Sequence, residues 1–287
     1  MFYFCPSSRL ANFNNNVMQR YRGCAFAAIC AVCFALAFFT SRASAQRVVS
    51  LVPSATFTAV QFGADANIVG RTSYCPEPGK GVRSVIVGDA MTVSVEAVVA
   101  LSPDVVLASS FTPASVVDKL KSLGMAVELL RTPKDFDEIC SQALYIGRVT
   151  GHLHQADELV ARVRKEVESI ASHVASKKGS GKFTFYVQIG AKPLWGATPD
   201  YYIDAMLAML GGVNILSVGE GACSRESVLT RAPHLVVVSS LGGLGPEEAA
   251  AWRRLSAAKV VVVDEDALCC PTPLFFRCAL KSIADAL

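Results

Sequence analysis

The sequence predicts an α/β protein of two similar lobes, each built on a mainly parallel sheet, joined by one long α-helix. Three observations predict it. First, a seventeen-residue segment, SVEAVVALSPDVVLASS from Ser94, recurs as SRESVLTRAPHLVVVSS from Ser224. Second, short β-branched runs alternate with helical stretches on both sides of the chain's middle, as in parallel sheets covered on both faces. Third, the segment 152–176 between them is amphipathic and free of proline and glycine. Aligned without gaps, the copies match Ser94 with Ser224, Glu96 with Glu226, Val98 with Val228, Pro103 with Pro233, Val106 with Val236 and the closing Ser-Ser pairs. A spacing of 130 residues is too long for a solenoid and suits two lobes.

The N-terminus reads as a targeting segment rather than as part of the fold. Arg20 and Arg22 precede an apolar run over about 23–39, and Ala43-Ser44-Ala45 supplies a small-x-small cleavage site. Residues 1–45 are therefore expected to be a signal peptide, with an uncleaved anchor as the alternative. A lipid anchor on Cys24, Cys30 or Cys33 has little support, since Ile29 and Val32 precede two of these cysteines and Gly23 lies beside the arginines. Cleavage would leave 287 − 45 = 242 residues, enough for a large core. The leader holds four arginines and no acid, so the net charge of +3 becomes 3 − 4 = −1 without it. That balance gives no electrostatic footprint for nucleic acid.

The first lobe, 46–150, opens with a β-branched strand over 47–52 that stops at Pro53. A helical stretch from Thr58 to Phe62 ends at Gly63, and Ile68-Val69 suit a short strand. The segment 72–81 holds two prolines and two glycines and reads as a loop. Ser94 looks like a helix N-cap with Glu96 in the first turn, and Pro103 closes that helix. Residues 105–108 form a strand apolar on both faces, 113–124 a helix, and 126–130 the next strand.

In the linking segment, 151–178, apolar residues fall at Ala156, Val160, Val163, Val167, Ile170 and Val174, a helical period. Such a helix would run roughly 37 Å at 1.5 Å per residue. The second lobe, 179–287, repeats the outline of the first. It has an opening strand over 183–189, a loop from Gly190 to Pro199, and a helix over 201–210 ended by Gly211-Gly212. The repeat helix and its strand at 235–239 follow, then a strand at 259–264 and a last helix from about Leu274.

Catalytic chemistry finds little to stand on. The four histidines, His152, His154, His173 and His234, form no HExxH or metal-ligating cluster and read as solvent-exposed. The glycine-rich GEG at 219–221 and LGGLG at 241–245 lack phosphate-loop spacing and read as turns, and no GxSxG occurs. Six cysteines follow the leader: Cys75, Cys140, Cys223, Cys269, Cys270 and Cys278. Export would place them where disulfides persist, but disulfides, free thiols and a thiolate contact to a ligand metal all remain open. Glu96 and Glu226 are each compatible with simple helix-terminus stabilisation. As a matched pair they can also grip a two-fold symmetric partner through arginines.

Several segments together carry a resemblance: RVVSLVPSAT (47–56), VGRTSY (69–74), VEAVVALSPDVVLA (95–108), LKSLGMAV (120–127), PLWGATPDYYIDAMLAMLGGVNI (193–215) and SRESVLTRAPHLVVV (224–238). They resemble periplasmic solute-binding proteins of ABC importers for metal chelates, the class joined by a long helix, with a pattern nearest its cobalamin-binding members. The resemblance implies an exported, monomeric, non-enzymatic carrier. It would bind a cobalt or iron chelate between its lobes (a corrinoid first, then haem, then a ferric siderophore) and deliver it to a permease dimer with its ATPase. It also implies that Glu96 and Glu226 meet permease arginines and that Pro53, Tyr74 and Trp195 line the ligand site. No resident cofactor is implied. Few cations, namely Arg71, Lys80, Arg83 and Lys192, fall on the supposed cleft loops, which disfavours a highly anionic complex. Two segments depart from the family pattern: Cys269-Cys270-Pro271-Thr272-Pro273-Leu274 lacks the expected arginines, and VGEGAC (218–223) lacks a bulky aromatic. A bare-ion binder of similar fold and a chelatase-like enzyme are the alternatives, disfavoured by the few histidines and by the leader.

Overall fold

The structure is a computed structural model that describes residues 46–89, 91–178, 181–243 and 245–287. The expected signal peptide lies outside these residues. Sheet A is wholly parallel, with strands β1 (Val48–Ser50), β2 (Ile68–Thr72), β3 (Val85–Gly88), β4 (Val105–Ser109) and β5 (Val127–Leu130) in the order β3-β2-β1-β4-β5. Its helices are α1 (Pro53–Gln61), α2 (Val95–Ala100), α3 (Ala114–Ser122) and α4 (Phe136–Val149). The long helix α5 spans Leu153–Lys178. Sheet B comprises β6 (Phe183–Ala191), β7 (Leu194–Gly196), β8 (Gly212–Asn214), β9 (Leu235–Ser239) and β10 (Lys259–Val263). β10, β9 and β6 run parallel, and the far edge of β6 is shared between parallel β8 and antiparallel β7. The helices α6 (Tyr202–Ala208), α7 (Arg225–Arg231), α8 (Gly245–Leu255), α9 (Glu265–Cys269) and α10 (Pro273–Asp285) complete it.

α1 starts at Pro53 rather than Thr58, because proline's fixed φ suits the first helical position. β3, β7, β8, α4, α8 and α9 lie where the sequence predicts no element. β7 and β8 are three residues each, too short for a periodic signal. α4 did carry one: Asp135 caps it by accepting from Glu138 N, and Phe136, Ile139, Cys140, Ala143 and Ile146 form its buried stripe.

Strand alternation divides each sheet between two clusters. Val48, Val105 and Leu107 of sheet A and Phe185, Val187, Leu235 and Val237 of sheet B belong to one continuous core. Val49 and Val106 instead meet Val98, Val117 and Leu120 on the outer face of sheet A. Tyr186 and Val236 meet Val228 and Trp252 on the outer face of sheet B. The shared core is filled by Ala156, Val160, Val163, Val167 and Val174 of α5 and by Phe276, Ala279, Leu280 and Ile283 of α10. These are the positions that the helical period selects, with Ile170 half-buried at the edge.

The repeat is a structural unit. Ser94 Oγ accepts from Ala97 N and Ser224 Oγ from Ser227 N, both at 3.1 Å. Each helix is followed by a non-glycine residue in the left-handed region, Ser102 at φ 45° and Ala232 at φ 44°. Each of these precedes a proline, which disfavours continued α-helix. The equivalence reaches one step further. Arg47 N donates to Asp104 Oδ2 at 2.7 Å, and at the matching place Thr184 N donates to His234 Nδ1 at 3.2 Å. In both lobes the residue after Pro103 or Pro233 thus secures the entrance of the opening strand.

Because the core is shared, Phe276→Ala is expected to cost about 3–5 kcal/mol and to lower a single urea transition. Two separated transitions would show that the sheets fold independently.

Candidate functional site

The C-terminal ends of the strands converge on a cavity of about 500 Å³. This edge is where open α/β sheets place ligands, since the loops there are free of packing duty. From sheet A come Leu51, Val52, Pro53 and Ser54 after β1, Tyr74 after β2, Ser109, Phe111 and Thr112 at and beyond the end of β4, and Leu130, Arg131, Thr132 and Pro133 at and beyond the end of β5. Tyr201, Tyr202 and Leu241 face them, with Glu265, Asp266, Cys269, Cys270 and Pro271 after β10.

Each wall is held from behind. Ser50 Oγ accepts from Thr56 Oγ1 at 2.8 Å and donates to Val52 O at 3.0 Å, closing the turn that presents Pro53. Buried Arg71 donates to Cys75 O at 3.1 Å and pairs with Glu77 at 3.6 Å, holding the loop that leaves Tyr74 67% exposed. Arg71 is therefore occupied inside the protein, and among the described lining residues Arg131 is the one cation. Burial, then the neighbouring Asp264, raises the Asp266 carboxyl above its ordinary range.

The closing serines of the repeat build matching turns. Phe111 N donates to Ser109 Oγ and Leu241 N to Ser239 Oγ, each at 3.3 Å. Such side-chain turns reverse the chain tightly. They leave Phe111 76% and Leu241 49% exposed, both lining the cavity, one from each lobe. The two residues are 130 apart, so the repeat extends one residue beyond the serines and its last pair is apolar in both copies.

Of the three residues expected at the ligand site, Pro53 and Tyr74 line the cavity together and Trp195 is not among its lining residues. Trp195 lies on β7 and packs over Gly221, where an added Cβ would come within 2.6 Å of the indole. Phe111, Tyr201, Tyr202 and Leu241 were not singled out by sequence. Tyr202 is buried and donates its hydroxyl to Leu268 O.

Glu96 and Glu226 are both exposed, each in the first turn of its helix. α2 and α7 run back along their sheets, so their N-termini stand at the same strand edge as the cavity. Neither carboxylate has a salt-bridge partner among the described residues. The Glu226 carboxyl is held below its ordinary range by its own backbone N–H and by Ser224.

His154, His173 and His234 are exposed as expected, but His152 is half-buried and stacks on Phe62 at 6.5 Å. The six cysteines are free thiols. Cys75 is buried beneath the Tyr74 loop, its Sγ 3.2 Å from Thr72 Oγ1, and Cys140 is buried in α4. Cys269 and Cys270 face the cavity. Burial pushes the Cys140 thiol up to about 11 and, aided by Asp266, the Cys270 thiol up to about 12.

A cavity walled by aromatic and apolar side chains between a parallel and a mainly parallel sheet is the architecture of a ligand-binding protein. Comparison with known families bears this out, since residues 48–259 match the periplasmic binding protein model. The chain belongs to the periplasmic binding protein family. Among curated relatives, a vitamin B12-binding protein of Yersinia pestis is 28% identical over 227 residues, covering 78% of this chain and 80% of its own. A possible iron-binding periplasmic solute-binding protein of Staphylococcus epidermidis is 25% identical with a TM-score of 0.69, over 85% of this chain and 99% of that one. The periplasmic vitamin B12 binding protein of Vibrio cholerae is 22% identical with a TM-score of 0.70, over 84% and 98%. The periplasmic haem-binding protein of the same organism is 20% identical, also with a TM-score of 0.70, over 84% and 98%.

The raised thiol values predict slow alkylation, since the thiolate is the reactive form. At pH 8, Cys140 and Cys270 of the folded protein are expected to react about a hundredfold slower than in denaturant. Peptide mapping by mass spectrometry measures this. Any pair of these six cysteines that stays unlabelled in denaturant until reductant is added would reveal a disulfide and contradict the free-thiol structure.

Proposed function

We propose that this protein is the extracytoplasmic substrate-binding component of an ABC importer, working in the periplasm. Its cargo is a metal chelate, with a corrinoid such as cobalamin favoured over haem, and haem over a ferric siderophore. The observation that carries the reading is the cavity wall, where Pro53, Tyr74, Phe111, Tyr201 and Leu241 gather apolar and aromatic surface from both sheets. Rings bury much area at low entropic cost, which suits a large flat macrocycle. Relatives named for vitamin B12 and the mildly acidic β10 side of the cavity, with Glu265 and Asp266, support a ligand of low negative charge. Among the described residues no group of three or more His, Cys, Asp or Glu is placed to hold a metal ion, which weighs against a bare-ion carrier. No helix among them is long and apolar enough to cross a membrane.

In this reading Glu96 and Glu226 dock the two lobes to arginines of a permease dimer. Their exposure, their matched helix-terminal positions and the absence of a salt-bridge partner for either among the described residues support that role. Carboxylates held on short capped helices meet a partner with little ordering cost.

Two experiments test the reading. Purified protein incubated with cobalamin, haemin or a ferric siderophore and freed of unbound ligand is expected to keep the absorbance of cobalamin. Retention of none of the three would overturn the chelate assignment. The double substitution Glu96→Ala with Glu226→Ala is expected to reduce transport at least ~100-fold with ligand affinity unchanged. A fall in ligand affinity would place the glutamates in the binding site instead.

A further inference from the structure

A second, smaller cavity of about 280 Å³ opens at the end of β6, and Leu241 lines both. Its wall is of another character, with Gln188, Lys192, Ser239 and Glu248 contributing polar groups. The β6–β7 ladder shifts register between Gln188 and Gly190, the kind of bulge that re-aims side chains beside a site.

The polar groups are held by a buried network. Trp252 Nε1 donates to Gln188 Oε1 at 2.6 Å, and an indole N–H can only donate, so the Gln188 oxygen must face it. The Gln188 amide nitrogen is then left to donate to Glu248 Oε2 at 2.9 Å. Arg225 donates to the same oxygen at 2.8 Å, with its guanidinium 4.8 Å over the Trp252 ring. Gln188 is 3% exposed and the Glu248 side chain 18%. Both donors use Oε2, and Glu248 Oε1 accepts nothing from the described residues. Burial works against an ionised Glu248, but the bonds from Gln188 and Arg225, with the nearby charge of Lys192, outweigh it and lower its pKa. Lys192 itself has no ion-pair partner among the described residues.

The pocket thus presents an ionised acceptor and a cationic donor in one wall. A carboxylate entering it would gain Lys192 but meet Glu248, and an ammonium group would face the reverse conflict. A primary carboxamide suits both, because it carries N–H donors and a carbonyl acceptor and no charge. We propose that this pocket is a subsite for an uncharged carboxamide arm of the ligand. Glu248 Oε1 accepts from the arm's N–H, Lys192 Nζ donates to its carbonyl oxygen, and Glu248 turns away a carboxylate. This rests on the reading that a chelate fills the adjoining cavity, and it narrows that chelate to an amide-bearing macrocycle. Corrinoids carry peripheral carboxamides, whereas haem carries propionates.

The test is calorimetric titration of purified protein with cobalamin, with its singly hydrolysed propionamide monocarboxylates and with haemin. Cobalamin is expected to bind, and at least one monocarboxylate to bind about tenfold or more weakly, the scale of a like-charge contact. Glu248→Gln keeps an oxygen for Arg225 and Gln188, and it is expected to remove that discrimination. Equal discrimination by wild type and Glu248→Gln overturns the subsite. Should that variant fail to fold by circular dichroism, exposed Lys192→Met serves instead, with cobalamin affinity expected to fall about tenfold, and unchanged affinity overturns the proposal. Preference for haemin over cobalamin overturns the subsite and leaves the chelate carrier standing. Binding of no chelate overturns both.

Discussion

The rest of the structure depends on one continuous apolar core shared by the two sheets. α5 and α10 lie between them and fill it, and aromatic pairs bind segments far apart in sequence. Phe136 stacks on Phe276 at 4.6 Å, and Phe57 meets Phe275 edge-on at 4.9 Å. Gln61 of α1 also donates to Thr272, the buried N-cap of α10, at 2.8 Å. A wide opening of the two sheets would have to part these contacts and expose core to water, at a free-energy cost that grows with the area uncovered. The cleft is therefore built for small adjustment. The cavity edge is largely preformed, which lowers the ordering cost of binding.

On that rigid frame the repeat acts as a device with two outputs. Each copy runs from a serine-capped helix bearing an exposed carboxylate, through a left-handed residue that precedes a proline, into a buried strand. It ends in a serine turn that projects a large apolar side chain. Glu96 and Phe111 are the two ends of one copy, and Glu226 and Leu241 those of the other. One end is an exposed carboxylate and the other lines the cavity. The pseudo-symmetry thus sets an exposed carboxylate and a cavity-lining apolar side chain in matched places in both lobes.

The solved structures of similar fold carry names for vitamin B12, haem, iron and molybdate. Such breadth on one scaffold means that the frame does not choose the ligand. Choice must come from the loops at the strand ends, where this chain differs from the family pattern. The vicinal thiols Cys269 and Cys270 open the segment where the family resemblance leads one to expect arginines, and the acids Glu265 and Asp266 line the cavity beside them. The Trp252–Gln188–Glu248–Arg225 network holds a second, polar wall nearby, and Arg225 stands beside Glu226 on α7.

The architecture was legible in the sequence because its determinants are local. Strand runs such as 235–239, the heptad-like stripe of α5 and the Ser94 and Ser224 caps depend on residues within a few positions of one another. The duplicated helix–strand unit was legible for the same reason, and the family resemblance pointed to Pro53 and Tyr74, which line the cavity. Tertiary structure alone decided which side chains meet at the cavity. Trp195 was drawn away onto Gly221, Arg71 was consumed behind the Tyr74 loop, and Phe111 and Leu241 were both brought to the cavity wall. These outcomes turn on how loops separated by more than a hundred residues pass one another. No periodicity or cap encodes that course; it is set by which surfaces the shared core leaves uncovered.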